Sequence, residues 1–176
     1  MKSSLFLLGG SLLVASAFAA ESAPAPNLHE LMKNIVAIQT QVIWDVGNTA
    51  QDDAGNPDPK KMKPADWAKV GTAATKVRDA MQTLAKAPHV MAAAPGQKID
   101  GEGGTPGAFG AKEVQKAIDA NPKVFQAFAQ QLNKSMEELI AASKTKDAKK
   151  LFDVSGRIDQ ECEACHQQFW YPDEKR

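Results

Sequence analysis

Cysteine is scarce in this sequence: two residues among 176, Cys162 and Cys165, three positions apart near the C-terminus. A disulfide between them would close a very small loop and restrain little of the unfolded chain, so disulfides do not staple this fold. An excess of one charge is missing too, with 21 lysines and arginines set against 21 aspartates and glutamates. Near neutrality argues against a nucleic-acid partner, which needs a broad basic face, and against strong adsorption on anionic lipid. Strand-like alternation of apolar and polar residues is nearly absent. Long apolar runs are absent as well, with one exception at the N-terminus.

That exception is basic Lys2, then an apolar run over 5–18 broken only by Gly9, Gly10, Ser11 and Ser16, then the small-residue pattern Ala17-Phe18-Ala19. It has the three parts of a secretory signal. A membrane anchor is the rival reading, but a spanning helix needs roughly 20 apolar residues, and a Pro-rich stretch follows this shorter run. Residues 1–19 are therefore expected to be cleaved, leaving a soluble, periplasmic chain with no further hold on the membrane. Loss of Lys2 leaves it a formal charge of −1. Residues 20–27 read as a flexible leader, because Pro24 and Pro26 prevent a helix there. Residues 28–176 suit one domain with one core.

Within that domain apolar residues recur at spacings of three and four. Asn27 offers a cap, and Leu28, Leu31, Met32, Ile35, Val36, Val42, Ile43 and Val46 mark a first helix ending near Gly47-Asn48. A second runs from Pro64 through Trp67, Val70, Val77, Met81 and Leu84 to Pro88. Residues 87–110 hold three prolines and six glycines yet keep Val90, Met91, Ile99 and Phe109, so they read as an ordered loop that covers something. A short helix over 111–120 precedes Asn121-Pro122, where a third long helix carries Phe125, Phe128, Leu132, Met136 and Leu139. Asp147 can cap the last one, whose stripe is Leu151, Val154, Ile158, Cys162, Cys165 and Phe169. The fold class is all-α: an antiparallel four-helix bundle, an architecture that houses cofactors between facing helices.

Cys162-Glu163-Ala164-Cys165-His166 is the C-x-x-C-H signature of c-type haem attachment. On a helix the cysteines lie one turn apart on one side, so two thioethers can reach one porphyrin edge. His166 follows Cys162 by four residues, and its imidazole can supply the proximal nitrogen to iron. A thioredoxin-like pair would open a helix after a strand, and no such unit is present. A structural zinc site would need a fourth ligand, and neither His29 nor His89 provides the paired spacing.

The stretch Leu151-Phe152-Asp153-Val154-Ser155-Gly156-Arg157-Ile158-Asp159-Gln160-Glu161, continuing through the motif to Phe169, resembles the C-terminal helix of class II cytochromes c, the cytochrome c′ family. Leu31-Met32-Lys33 is similar to that family's first helix. The resemblance implies a four-helix bundle with one covalent haem c, and members often form homodimers through their first two helices. One departure is plain: many members place a basic residue after C-x-x-C-H-x-x-F, and here Trp170-Tyr171 stands there.

The ligand opposite His166 divides the family. An apolar residue leaves iron five-coordinate and able to bind nitric oxide or carbon monoxide in a protective or sensing role. A methionine makes it six-coordinate and suits electron transfer. No methionine follows His166, so the candidates are Met32, Met62, Met81, Met91 and Met136. By spacing alone, a methionine in an apolar stripe is more readily core filling. The resemblance places Met32 where low-spin relatives have their distal ligand. His29, one turn earlier, competes but reads as a surface residue; His89 reads as a loop residue that could approach a haem propionate. Trp44, Trp67 and Trp170 read as core or haem-edge packing. No nucleophile with a base and no paired carboxylates are recognisable, so a carrier that serves redox partner proteins is expected and an enzyme is not.

Overall fold

A computed structural model describes residues 24–104 and 107–171. The export signal over 1–19, the first residues of the leader and Pro172 lie outside the described residues. The architecture is an all-α bundle of long helices with one short addition, and among the described residues there is no strand. The first helix begins as α1 (Leu28–Leu31), passes through a π turn (Met32–Val36) and continues as α2 (Ala37–Thr49). Then come α3 (Pro64–Lys86), α4 (Ala111–Ala120), α5 (Pro122–Thr145) and α6 (Ala148–Phe169).

The helix starts follow local chemistry. The Asn27 side chain accepts from the Glu30 N–H at 3.2 Å and that of Asp147 from the Lys150 N–H at 2.9 Å, each satisfying an orphan donor of a first turn. Pro64 and Pro122 occupy first turns, where no partner for a proline nitrogen is needed. At its end α5 turns through Lys146 in the left-handed region, φ 57°.

Two features differ from the periodic reading. Gly47 lies inside α2, which runs on to Thr49. In the π turn, the Ala37 N–H reaches back to the Met32 carbonyl, so one turn holds an extra residue. A count of threes and fours is blind to that insertion, which changes the helix phase between Met32 and α2.

The core sits mainly between α3 and α5 and extends to α6. Val70, Val77 and Leu84 of α3, Met136 and Leu139 of α5, and Val154 and Ile158 of α6 are fully buried. Each such side chain contributes roughly 1.5–3 kcal/mol relative to exposure. Gly71 lets α3 and α5 approach closely, since a Cβ there would come within 2.7 Å of Ser143 Oγ. Trp67 belongs to this core, as do Met62, Met81 and Met136.

The 87–110 loop is tied down at both ends and in its middle. The Leu28 and His29 N–H groups donate to the Met91 and Ala92 carbonyls at 2.7 and 3.0 Å, and the Met91 N–H donates to the Pro26 carbonyl at 3.0 Å. The stretch read as a flexible leader therefore ends pinned at Pro26 and Asn27. Farther along, the Phe109 N–H donates to the Trp170 carbonyl at 2.7 Å, joining the loop's end to the end of α6.

Candidate functional site

Where α2 and α6 diverge, a cavity of about 400 Å³ opens with a mainly apolar wall. From α6 come Cys162, Cys165, His166 and Phe169, followed by Trp170. Ala164 and Gln168 point to solvent, so helix phase alone turns the two thiols and the imidazole inward together. Polar contacts between α5 and α6 fix that phase just before the motif. Fully buried Ser135 donates to Glu161 Oε1 at 2.8 Å, and Arg157 Nη2 donates to Glu138 Oε2 at 2.9 Å.

The first helix supplies the facing wall: His29, Met32, Val36 and Trp44, with Lys33 among them. Ala92, Ile99 and Asp100 of the loop close a further side, and Val114 of α4 and Phe125 of α5 complete it. The loop expected to cover something thus covers this cavity. Of the five candidate methionines, only Met32 is among the wall residues; Met81 and Met136 are core. His29 is half-buried in the same wall, not the surface residue its position suggested. His89 is absent from the wall and exposed, 3.9 Å from Asp119.

The electrostatics suit covalent attachment better than thiol redox chemistry. Burial pushes the Cys162 thiol from 9.0 up to about 11 and that of Cys165 up to about 12. A thioredoxin-type pair needs the opposite shift, toward thiolate. Burial also holds His166 below its ordinary value, with the Glu163 charge opposing, which favours the neutral imidazole a metal ligand must be. Among the described residues no three His, Cys, Asp or Glu side chains cluster so as to hold a metal ion.

Behind His166 the chain folds back on itself. The Trp170 and Tyr171 N–H groups both donate to the His166 carbonyl, at 2.7 and 3.0 Å. The Trp170 ring stands edge-on to the imidazole at 5.1 Å and the Tyr171 ring at 5.9 Å. The Tyr171 hydroxyl donates to Glu163 Oε2 at 2.7 Å. Aromatic rings thus flank His166 where the chain leaves α6.

A family model described as Cytochrome C′ matches residues 63–170. The chain belongs to the cytochrome C′ family. Membership implies covalently bound haem c, and the cavity fits such a group: paired thiols one helical turn apart, an inward imidazole, apolar walls, and a buried Trp170 indole N–H with no protein partner. The matched segment spans α3 to α6 and includes Cys162, Cys165 and His166, but it stops short of the helix that bears Met32. No curated protein and no solved structure matches the chain. Among the described residues no helix is long and apolar enough to cross a membrane.

Lys33, Asp100 and Val114 escaped the sequence reading as wall residues. Lys33 and Asp100 form a loose ion pair at 3.8 Å, and nothing in their sequence spacing brings together residues so far apart in the chain.

Proposed function

We propose that this protein is a periplasmic electron carrier with a single, low-spin haem c, whose axial ligands are His166 and Met32. Haem c supplies a one-electron couple when bound. Cys162 and Cys165 tether it by thioethers, and one C-x-x-C-H motif with no other cysteine means one attachment site. His166 offers a neutral imidazole nitrogen. Met32 offers a thioether sulfur from the facing helix, and such an axial ligand raises the potential. Phe125, Phe169, Val36 and Val114 line the same cavity and would exclude water from a haem held there, a low-dielectric setting that tunes a haem potential.

The observation that carries this reading is that the wall containing Cys162, Cys165 and His166 also contains Met32, and no other methionine among the described residues. A fixed pair of strong ligands keeps the same geometry in both oxidation states, which suits transfer to and from redox partner proteins and not turnover of a substrate. With near-neutral overall charge, strong electrostatic steering toward the partner is not expected.

Optical spectra of the oxidised holoprotein test this. A low-spin spectrum with a sulfur-to-iron charge-transfer band is expected, lost in Met32→Ala and kept in His29→Ala. A high-spin spectrum of the unmodified protein would contradict the proposal and favour a five-coordinate, gas-binding protein. Retention of the band in Met32→Ala would move the ligand elsewhere.

A further inference from the structure

Met32 stands in a precarious place for a ligand. It sits one turn from the start of its helix, where its N–H reaches back to the Leu28 and His29 carbonyls, and it opens a π turn, so its placement depends on how that first turn is held. First turns also carry N–H groups without intrahelical partners. Here they are all engaged. The Leu28 and His29 N–H groups go to the loop carbonyls of Met91 and Ala92, the Glu30 N–H to the Asn27 side chain, and the Leu31 N–H to the Asn27 carbonyl at 3.1 Å. Half of that satisfaction comes from a segment some sixty residues away in sequence.

One side chain locks the two segments together. Gln97 Oε1 accepts from Asn27 Nδ2 at 3.2 Å and from the Ala94 N–H at 3.0 Å, while Gln97 Nε2 donates to Glu30 Oε1. A single amide therefore grips the cap residue, a first-turn residue and the loop backbone. On the other side Gln115 of α4 accepts from the Ala92 N–H at 2.7 Å and donates to the Val90 carbonyl at 3.0 Å, anchoring the loop strand to the bundle. The same loop places Ala92 and Ile99 in the cavity wall. The Lys33–Asp100 pair also joins helix to loop, but both side chains are more than half exposed, so it holds little.

We propose that Gln97 is a positioning residue for the iron site: through Asn27 and Glu30 it clamps the first helical turn to the covering loop, in the register that keeps Met32 in the cavity wall. The clamp rests on the reading of Met32 as the distal ligand. It acts by limiting local opening of a short helix end, which is where native structure opens most readily.

The test uses the haem-loaded full chain and compares Gln97→Ala with the unmodified protein by the sulfur-to-iron band, the reduction potential and the rate at which added imidazole replaces the distal ligand. Gln97→Ala should weaken the band, lower the potential and speed imidazole binding about tenfold, the order expected when several partly buried hydrogen bonds are removed. Glu30→Gln, which keeps an acceptor for the Gln97 amide, should stay close to the unmodified protein. In Gln97→Ala combined with Glu30→Ala the effects should not add, because both substitutions break one link. If Gln97→Ala fails to accumulate with haem, Glu30→Ala removes the Gln97–Glu30 link and should shift the same readouts in the same direction, with Asn34→Ala, which removes only the Asn34 contact to Glu30, as the control that leaves them unchanged.

A Gln97→Ala protein that loses only thermal stability, with band, potential and imidazole rate unchanged, would reduce Gln97 to a helix-capping role and overturn the clamp. An unmodified protein without the sulfur-to-iron band would instead remove the Met32 reading on which the clamp depends, so the two failures are told apart.

Discussion

The pair α3 and α5 and the pair formed by the first helix and α6 solve opposite problems with helices of similar length. On α3 and α5 the buried residues are Val70, Ala74 and Val77 on one and Met136 and Leu139 on the other, and Gly71 leaves no room for a Cβ beside Ser143. Their buried faces form part of a continuous core, with a solvent-open groove along one side beside Gly71 and Ser143. Between α2 and α6 the chain puts Trp44, Cys162, Cys165 and His166, and nothing meets the space beside Gly47 or Gly156. There the bundle leaves the 400 Å³ cavity and a neighbouring groove of about 340 Å³ that shares Trp44 with it. Buried core faces hold α3 and α5 together without a ligand, whereas the cavity wall is completed by what it binds. Ligand binding to the native state then adds stability to that side in particular.

Removing the tether tests this contrast most severely. A Cys162→Ser, Cys165→Ser double variant should show no haem stain after denaturation, and its amide protons should exchange faster in the first helix and the 87–110 loop than in α3 and α5. Equal loss of protection across the bundle would erase the contrast. Next in size, Leu139→Ala should cost about 2–5 kcal/mol in denaturant unfolding, as cavity-forming core substitutions do, while leaving the haem spectrum unchanged. A smaller effect concerns the tie between the halves. Glu138 accepts from Lys150 Nζ at 2.6 Å and from Arg157 Nη2 at 2.9 Å, and these cations hold its carboxyl below the ordinary value. A depressed native pKa stabilises fully above the ordinary carboxylate range and is lost as pH falls through the native value. Glu138→Gln should therefore melt below the unmodified protein at neutral pH, and the difference should shrink and vanish as pH falls below the ordinary carboxylate range and through the lowered native value. Least of all, Lys146→Gly relieves a left-handed non-glycine residue and should raise the melting temperature by about 2–4 °C.

Much of the helical frame was legible in the sequence because its elements obey local rules. Asn27 and Asp147 cap where an oxygen must meet first-turn N–H groups, Pro64 and Pro122 begin helices, and three-and-four spacing marks the buried stripes. Cys162, Cys165 and His166 were legible for the same reason, since one helix carries all three. The distal wall was harder. Its membership depends on a π turn that no periodic count detects and on a loop whose partners are remote in sequence. His29 shows this: its sequence position suits a surface first turn, yet the pairing of Met91 and Ala92 with that turn leaves it in the cavity wall. Trp170 and Tyr171 behaved similarly, marked as a departure by sequence but given their place against His166 only by the chain's fold-back.

Iron-edge X-ray absorption on the oxidised holoprotein addresses the distal ligand most directly, because it counts the atoms around iron. With Met32 and His166 as axial ligands, the iron shell contains the porphyrin nitrogens, one imidazole nitrogen and one thioether sulfur, and the sulfur disappears in Met32→Ala. A shell of nitrogens alone in the unmodified protein, whether five-coordinate or completed by His29, would contradict the assignment of Met32.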